Sequence, residues 1–163
     1  MRIYKLMLLC AVVGGFLALV GPARAEGQYK RGLSLTSGSH ALPFSDGIVV
    51  GNTLYVAGEQ GMESNGKLVA GGIGPQTKAA LKTIEKVVRD AGFTMGDVVA
   101  VNVYLADVHD FSTMNEIYTT FFPNPKPTRT TVQVAALVNG AKIEISAIAV
   151  RRPSARRVPA RSR

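Results

Sequence analysis

The chain contains very little cysteine or histidine. Of its 163 residues, one is cysteine and two are histidine. Cys10 lies in an N-terminal segment that we expect to be removed, so the remaining chain would have no disulfide, no catalytic thiolate and no cysteine-based metal site. His40 and His109 are isolated from other candidate ligands, and we interpret both as incidental. Neither a paired-cysteine metal motif nor a glycine-rich phosphate loop is present.

The chain also lacks an apolar run long enough to cross a membrane as a helix. Residues 6–20 form an apolar run of 15 residues, whereas a spanning helix needs roughly 20. Arg2 and Lys5 precede this run, and Ala23-Arg24-Ala25 follows it, an arrangement typical of a secretory signal peptide. We therefore expect residues 1–25 to be a signal peptide and the protein to be periplasmic or secreted. A membrane anchor is the alternative interpretation.

Positive charge is concentrated at the two ends of the chain. The net charge is +8, but residues 26–150 carry a net charge of −1 and residues 151–163 contain six arginines. A near-neutral central region does not indicate a nucleic-acid-binding domain. We expect residues 153–163 to be a disordered basic tail, which could contact an anionic surface.

The hydrophobic pattern predicts one domain, residues 26–152, with an α+β fold. Residues 26–43 are rich in glycine and serine and indicate a loosely held arm. The remaining predicted elements are a hairpin over 47–58, a short strand at 67–69, helices over 75–91 and 110–122, a strand over 97–106, and two strands within 127–150 joined at Asn139-Gly140. The order ββ(β)αβαββ predicts one mixed sheet with both helices on the same face. The second face would still be partly apolar, so we expect a homo-oligomer that covers it.

Two charged residues interrupt the apolar pattern of the last two strands. Arg129 opens the first of these strands, and Glu144 lies inside the second. If the strands form a hairpin, the two side chains could be an ordinary cross-strand ion pair. Alternatively, they belong to a binding site for a small anion. The pattern alone favours the ion pair.

Five ordered segments resemble one known family. They are "YVAGEQG", "AGFTMGDVV", "DFSTMNEIYTTFF", "PTRTTVQVA" and "KIEISAIAV-RR". Together they are similar to the reactive intermediate deaminase (RidA/YjgF) family over residues 42–152. The resemblance implies a chorismate-mutase-like (ferredoxin-like) fold and a homotrimer with clefts between subunits. It also implies hydrolysis of 2-imino acids to 2-keto acids and ammonia, without a cofactor or a metal.

The same resemblance implies the roles of individual residues. Arg129 matches the family's arginine for the substrate carboxylate, and Glu144 matches the glutamate that engages the water or the imine nitrogen. Asn115 and Gly58 also match. The positions that depart from the family pattern are Phe44 for tyrosine, Ala57 for serine and Thr131 for cysteine. We expect these seven residues to form the site, with Arg129 and Glu144 catalytic and the other five binding the substrate.

Elementary chemistry is consistent with this pair of charges. A planar guanidinium holds a carboxylate through two parallel hydrogen bonds and so orients an imino acid. Imine hydrolysis then needs water at the C=N carbon and proton transfer at nitrogen, which a carboxylate can mediate. A non-catalytic binder of small carboxylates remains open because the hydroxyls at positions 44 and 57 are missing. An RNA-directed activity or a chorismate mutase is a more distant alternative.

Overall fold

The computed structural model of the chain describes residues 30–34 and 43–151. The predicted signal peptide, most of the predicted arm and the predicted basic tail lie outside these residues. In the described part, no helix is long and apolar enough to span a membrane.

One six-stranded mixed sheet forms the frame of the domain. The strands are β1 (Arg31–Leu33), β2 (Gly47–Val50), β3 (Thr53–Gln60), β4 (Val98–Leu105), β5 (Thr128–Gln133) and β6 (Ile143–Val150). Their spatial order is β1-β2-β3-β6-β4-β5, with β4 and β5 parallel and all other neighbours antiparallel. The predicted hairpin over 47–58 is confirmed, since β2 and β3 pair up to the two-residue turn at Gly51-Asn52. β1 lies within the stretch that the sequence indicated to be a loose arm, so that prediction was wrong for residues 31–33.

Two helices cover one face of the sheet, as predicted. They are α1 (Ile73–Asp90), which follows β3, and α2 (Phe111–Tyr118), which connects the parallel strands β4 and β5. The buried residues of α1 recur every three or four positions: Gln76, Thr77, Ala80, Leu81, Ile84, Val87 and Val88. They pack on alternate residues of β4 and β6, which include Val101, Val103, Ile143 and Ile145. The α+β class and the single mixed sheet are therefore confirmed.

The final two strands do not form the predicted hairpin. β4 lies between β5 and β6 and pairs with both of them. Asn139 and Gly140 do have the positive φ values expected of a tight turn, 59° and 71°, but they belong to a longer connection that contains a 3₁₀ turn, Val138–Gly140. This connection carries the chain from one side of β4 to the other. Backbone hydrogen bonds at the end of β4 extend the pairing on both sides, from Val134 N to Leu105 O and from Ala106 N to Lys142 O.

β3 contains an irregularity that matters for the site. Val56 pairs with Ala147 and Glu59 pairs with Ile145, so Ala57 and Gly58 together face one residue of β6. Such a bulge bends the strand and re-aims the residues after it. It brings Gln60 into register with Glu144.

Candidate active site

Arg129 lies at the centre of a cluster formed by β5 and α2, which we call the arginine cluster: Phe111, Asn115, Tyr118 and Arg129. The guanidinium donates a hydrogen bond to Asn115 Oδ1 at 2.9 Å. Its central carbon lies 4.4 Å from the centre of the Tyr118 ring and 5.5 Å from that of Phe111. In the described residues no carboxylate lies within salt-bridge distance of Arg129. The cluster therefore orients a cation and leaves its charge available for an external anion.

Two buried hydroxyl groups near Arg129 lack partners in the described chain. They are the hydroxyls of Tyr118 and of Thr131, which follows Arg129 by two positions on the same side of β5. Burial raises the pKa of Tyr118, although the nearby Arg129 charge opposes this shift. Buried polar groups normally have hydrogen-bond partners, and these two hydroxyls can supply hydrogen bonds to a ligand that approaches Arg129.

Glu144 belongs to a second group of residues on β3, β6 and the residue before β2. We call it the carboxylate cluster: Asp46, Glu59, Gln60 and Glu144. The Gln60 amide donates a hydrogen bond to Glu144 Oε2 at 2.9 Å. A Cβ atom at Gly58 would lie 2.2 Å from Glu144 Oε1, a distance that real Cβ contacts do not reach. Only glycine at position 58 leaves Glu144 where it is.

Glu59 has the most strongly perturbed carboxyl group of the cluster. Burial, together with smaller contributions from the negative charges of Asp46 and Glu144, raises its pKa from 4.5 to about 8. Glu59 is therefore largely protonated at neutral pH. Neither Glu59 nor Gln60 was among the residues predicted from the sequence. Their signal is visible in "AGEQG", where two adjacent polar residues interrupt a strand that is otherwise rich in apolar residues.

Of the predicted site residues, Asn115 and Thr131 lie close to Arg129. Gly58 lies against the carboxylate of Glu144. Ala57 lies beside Gly58 in the bulge and lines an open groove of about 320 Å³ with Ser45, Ile48, Tyr55 and Val56. Phe44, which comes just before the groove residue Ser45 in the chain, is 57% exposed. The seven residues thus fall into two regions of one chain.

The two regions lie on opposite faces of the sheet. Arg129 is in register with Val101, which is buried beneath the helices. Glu144 is in register with Tyr104, three positions further along β4 and on the other face. Side chains alternate between faces along a strand, so Arg129 and Glu144 point away from each other. The cross-strand ion pair considered from the sequence is therefore absent.

Sequence comparison assigns most of the described domain to one family. The family model described as "Endoribonuclease L-PSP" matches residues 37–151. The human protein named 2-iminobutanoate/2-iminopropanoate deaminase is 43% identical over 112 residues, which cover 68% of this chain and 82% of the human protein. The rat protein of the same name is 46% identical over 111 residues, which cover 68% of this chain and 81% of its own.

Solved structures show the same fold. The chain resembles Escherichia coli TdcF, whose crystal structure contains bound serine, with a TM-score of 0.68 and 31% identity; the match covers 75% of this chain and 99% of that one. The crystal structure of RidA from the Antarctic bacterium Psychrobacter sp. PAMC 21119 matches with a TM-score of 0.65 and 31% identity, covering 77% of this chain and 100% of that one. These matches agree with the α+β architecture described above.

The relatives contradict the predicted location. A relative from Schizosaccharomyces pombe, 36% identical over 115 residues that cover 69% of this chain and 70% of its own, is named "Protein mmf1, mitochondrial". The prediction of a periplasmic or secreted protein is therefore wrong, and the signal-peptide prediction receives no support from the comparisons. It depended on a short local pattern, which carries no information about the domain that follows.

The identity of the family rests on agreement between sequence and fold. The matched region contains the bulge, the arginine cluster and Glu144, and its similarity to the relatives extends over most of their length. The chain therefore belongs to the RidA/YjgF family, as its sequence segments indicated.

Proposed function

We propose that the chain hydrolyses small 2-imino acids to 2-keto acids and ammonia. The observation that carries this proposal is Arg129, which is held by Asn115 and two aromatic rings and has no carboxylate partner in the described chain. A guanidinium presents five N–H donors, and Asn115 uses one of them. The remaining donors suit a substrate carboxylate. The names of the human and rat relatives and the serine bound to TdcF support a small substrate of this kind.

Glu144 supplies the proton transfer in this proposal. Its carboxylate accepts a proton from water while the water oxygen bonds to the C=N carbon. The π electrons of the C=N bond move to nitrogen, which takes up a proton, and a carbinolamine forms. Glu144 then accepts the hydroxyl proton and passes it to the amino nitrogen, the C–N bond breaks as the C=O bond forms, and a 2-keto acid and ammonia are released. Holding the reactants in place supplies much of the rate advantage, and proton transfer supplies typically 10²- to 10⁴-fold.

A complete site would form between two subunits. Arg129 and Glu144 lie on opposite faces of one sheet, so neither can reach a substrate held by the other within one chain. Several apolar side chains are exposed, among them Tyr55, Val132 and Val150. A closed ring that packs the β5 edge of one copy on the open face of the next would bury such residues and unite the two halves. We propose a homotrimer as that ring.

A subunit-mixing experiment tests the shared site. Arg129→Lys and Glu144→Gln proteins, each strongly impaired alone, are unfolded together and refolded at equal amounts. If the site is shared, each mixed trimer regains one interface with both native residues. Random assembly then restores about one quarter of the wild-type activity. Recovery no greater than the sum of the two parents would show that the site lies within one chain.

The reaction itself is tested by ammonia release from 2-iminobutanoate that is generated in the assay. We expect release faster than the uncatalysed rate. Binding of 2-oxobutanoate without accelerated release would instead identify a carboxylate-binding protein. The alternative favoured by the departures at Phe44 and Ala57 would then be correct.

A further inference from the structure

We propose that Gln60 is a positioning residue for Glu144, which it holds in one orientation with one carboxylate oxygen bound and the other free. This inference rests on the proposed function, because it concerns the residue assigned to proton transfer. It begins with the bulge at Ala57 and Gly58, which changes which residues of β3 face β6. Without the extra residue, the side chain opposite Glu144 would come from the neighbouring position.

Contacts on both oxygens define the orientation of the carboxylate. Oε2 accepts the hydrogen bond from the Gln60 amide at 2.9 Å. Oε1 lies over the Cα of Gly58, where a Cβ atom would be only 2.2 Å away. Glycine thus leaves open the space that Oε1 occupies, and Gln60 prevents the side chain from rotating out of it. Oε1 is the oxygen left to bind water.

The charges around Glu144 explain why a neutral donor is useful there. Asp46 precedes β2, Glu59 lies on β3 next to Gln60, and Tyr104 faces Glu144 from β4. The negative charges of Asp46 and Glu144 both act on Glu59, which is largely protonated at neutral pH. A hydrogen bond donated to a carboxylate favours its charged form. Gln60 supplies such a bond without bringing a positive charge, which would compete for the substrate carboxylate.

Two substitutions with opposite expected effects test this role. Gln60→Met keeps nearly the same length but removes the N–H donor. We expect kcat to fall roughly tenfold with little change in KM. Gln60→Lys restores an N–H donor and should recover most of the kcat lost in Gln60→Met, while its positive charge, which competes for the substrate carboxylate, should raise KM. Gln133→Met is the matched control, because the Gln133 side-chain oxygen accepts a hydrogen bond from Val108 N at 3.0 Å on another strand; its kcat should match the wild type.

A second measurement keeps the test independent of catalysis. The mobility of the Glu144 side chain is measured by NMR relaxation in the wild-type protein and in Gln60→Met. The side chain should be more mobile in the variant, whether or not the protein deaminates imines. Unchanged mobility together with an unchanged kcat would overturn the proposed role of Gln60. Absence of activity in the wild type with increased mobility in the variant would overturn the proposed function alone.

Discussion

The arginine cluster and the carboxylate cluster lie on one sheet but differ in the groups that surround their charges. Arg129 is surrounded by an amide and two aromatic rings, so its positive charge is oriented but not neutralised. Glu144 accepts a hydrogen bond from Gln60 and shares its cluster with Asp46 and with Glu59, whose pKa is raised to about 8, mainly by burial. The first arrangement suits binding of an anion, and the second suits handling of protons. The comparison implies that binding and turnover can be separated by mutation.

The largest expected effect comes from removing the proton acceptor. Glu144→Gln preserves shape and the neighbouring strand contacts but cannot accept a proton. We expect kcat to fall by about 10²- to 10⁴-fold, while binding of 2-oxobutanoate changes little. Steady-state kinetics and titration calorimetry measure the two quantities. A parallel loss of binding would show that the carboxylate cluster also holds the ligand.

Arg129→Lys tests the other half of the comparison. The variant keeps the positive charge but loses the planar fork that grips a carboxylate with two bonds. We expect 2-oxobutanoate to bind about 10- to 100-fold more weakly, corresponding to one or two lost charge-assisted hydrogen bonds. Calorimetry on wild type and variant provides the measurement, and thermal unfolding serves as the control for folding. Unchanged affinity would remove Arg129 from the site.

Gly58→Ala probes how closely the carboxylate cluster is packed. The added methyl group would occupy the space of Glu144 Oε1, and the flexible tip of Glu144 would have to move. We expect roughly a tenfold loss of kcat and a decrease in unfolding free energy of about 1–3 kcal/mol. Keto-acid binding at Arg129 should persist. A fully active Gly58→Ala protein would mean that the position of Oε1 is unimportant.

The smallest expected effect is a change in how the stability of the folded protein depends on pH. Because the folded-state pKa of Glu59 is raised from 4.5 to about 8, the folded protein binds a proton that the unfolded chain releases. Its stability therefore decreases as pH rises from about 4.5 to 8. Glu59→Gln should abolish this decrease. The variant's melting temperature at pH 8 should then rise by roughly 2–4 °C for each kcal/mol recovered, with little change at pH 4.

The control for this prediction is Glu63→Gln, on the exposed loop that follows β3. It should leave the pH dependence of the melting temperature unchanged. Equal behaviour of the two variants would indicate that the dependence does not arise from Glu59.

Local features of the sequence were enough to locate most elements of the fold. Helical spacing of apolar residues predicted α1 and α2, and the Gly51-Asn52 turn predicted the pairing of β2 and β3. The sequence correctly predicted the positive φ values of Asn139 and Gly140. It wrongly predicted that these residues join two strands that pair with each other. Turn residues specify local dihedral angles, whereas the neighbours of a strand depend on competition with every other strand. β4 pairs with β5 on one edge and with β6 on the other, so β5 and β6 are not neighbours in the sheet.

The sequence by itself determined the family, the α+β class and the candidate residues Arg129, Asn115, Gly58 and Glu144, because these depend on residue type and order. Only the tertiary structure decided that Arg129 and Glu144 lie on opposite faces, and that Gln60 binds Glu144 while its neighbour Glu59 is partly buried. The strand register and a one-residue bulge control both outcomes, since a shift of one position moves a side chain to the other face of a sheet. Likewise, the pKa of Glu59 depends on burial and on charges from other elements, which come together only when the sheet forms.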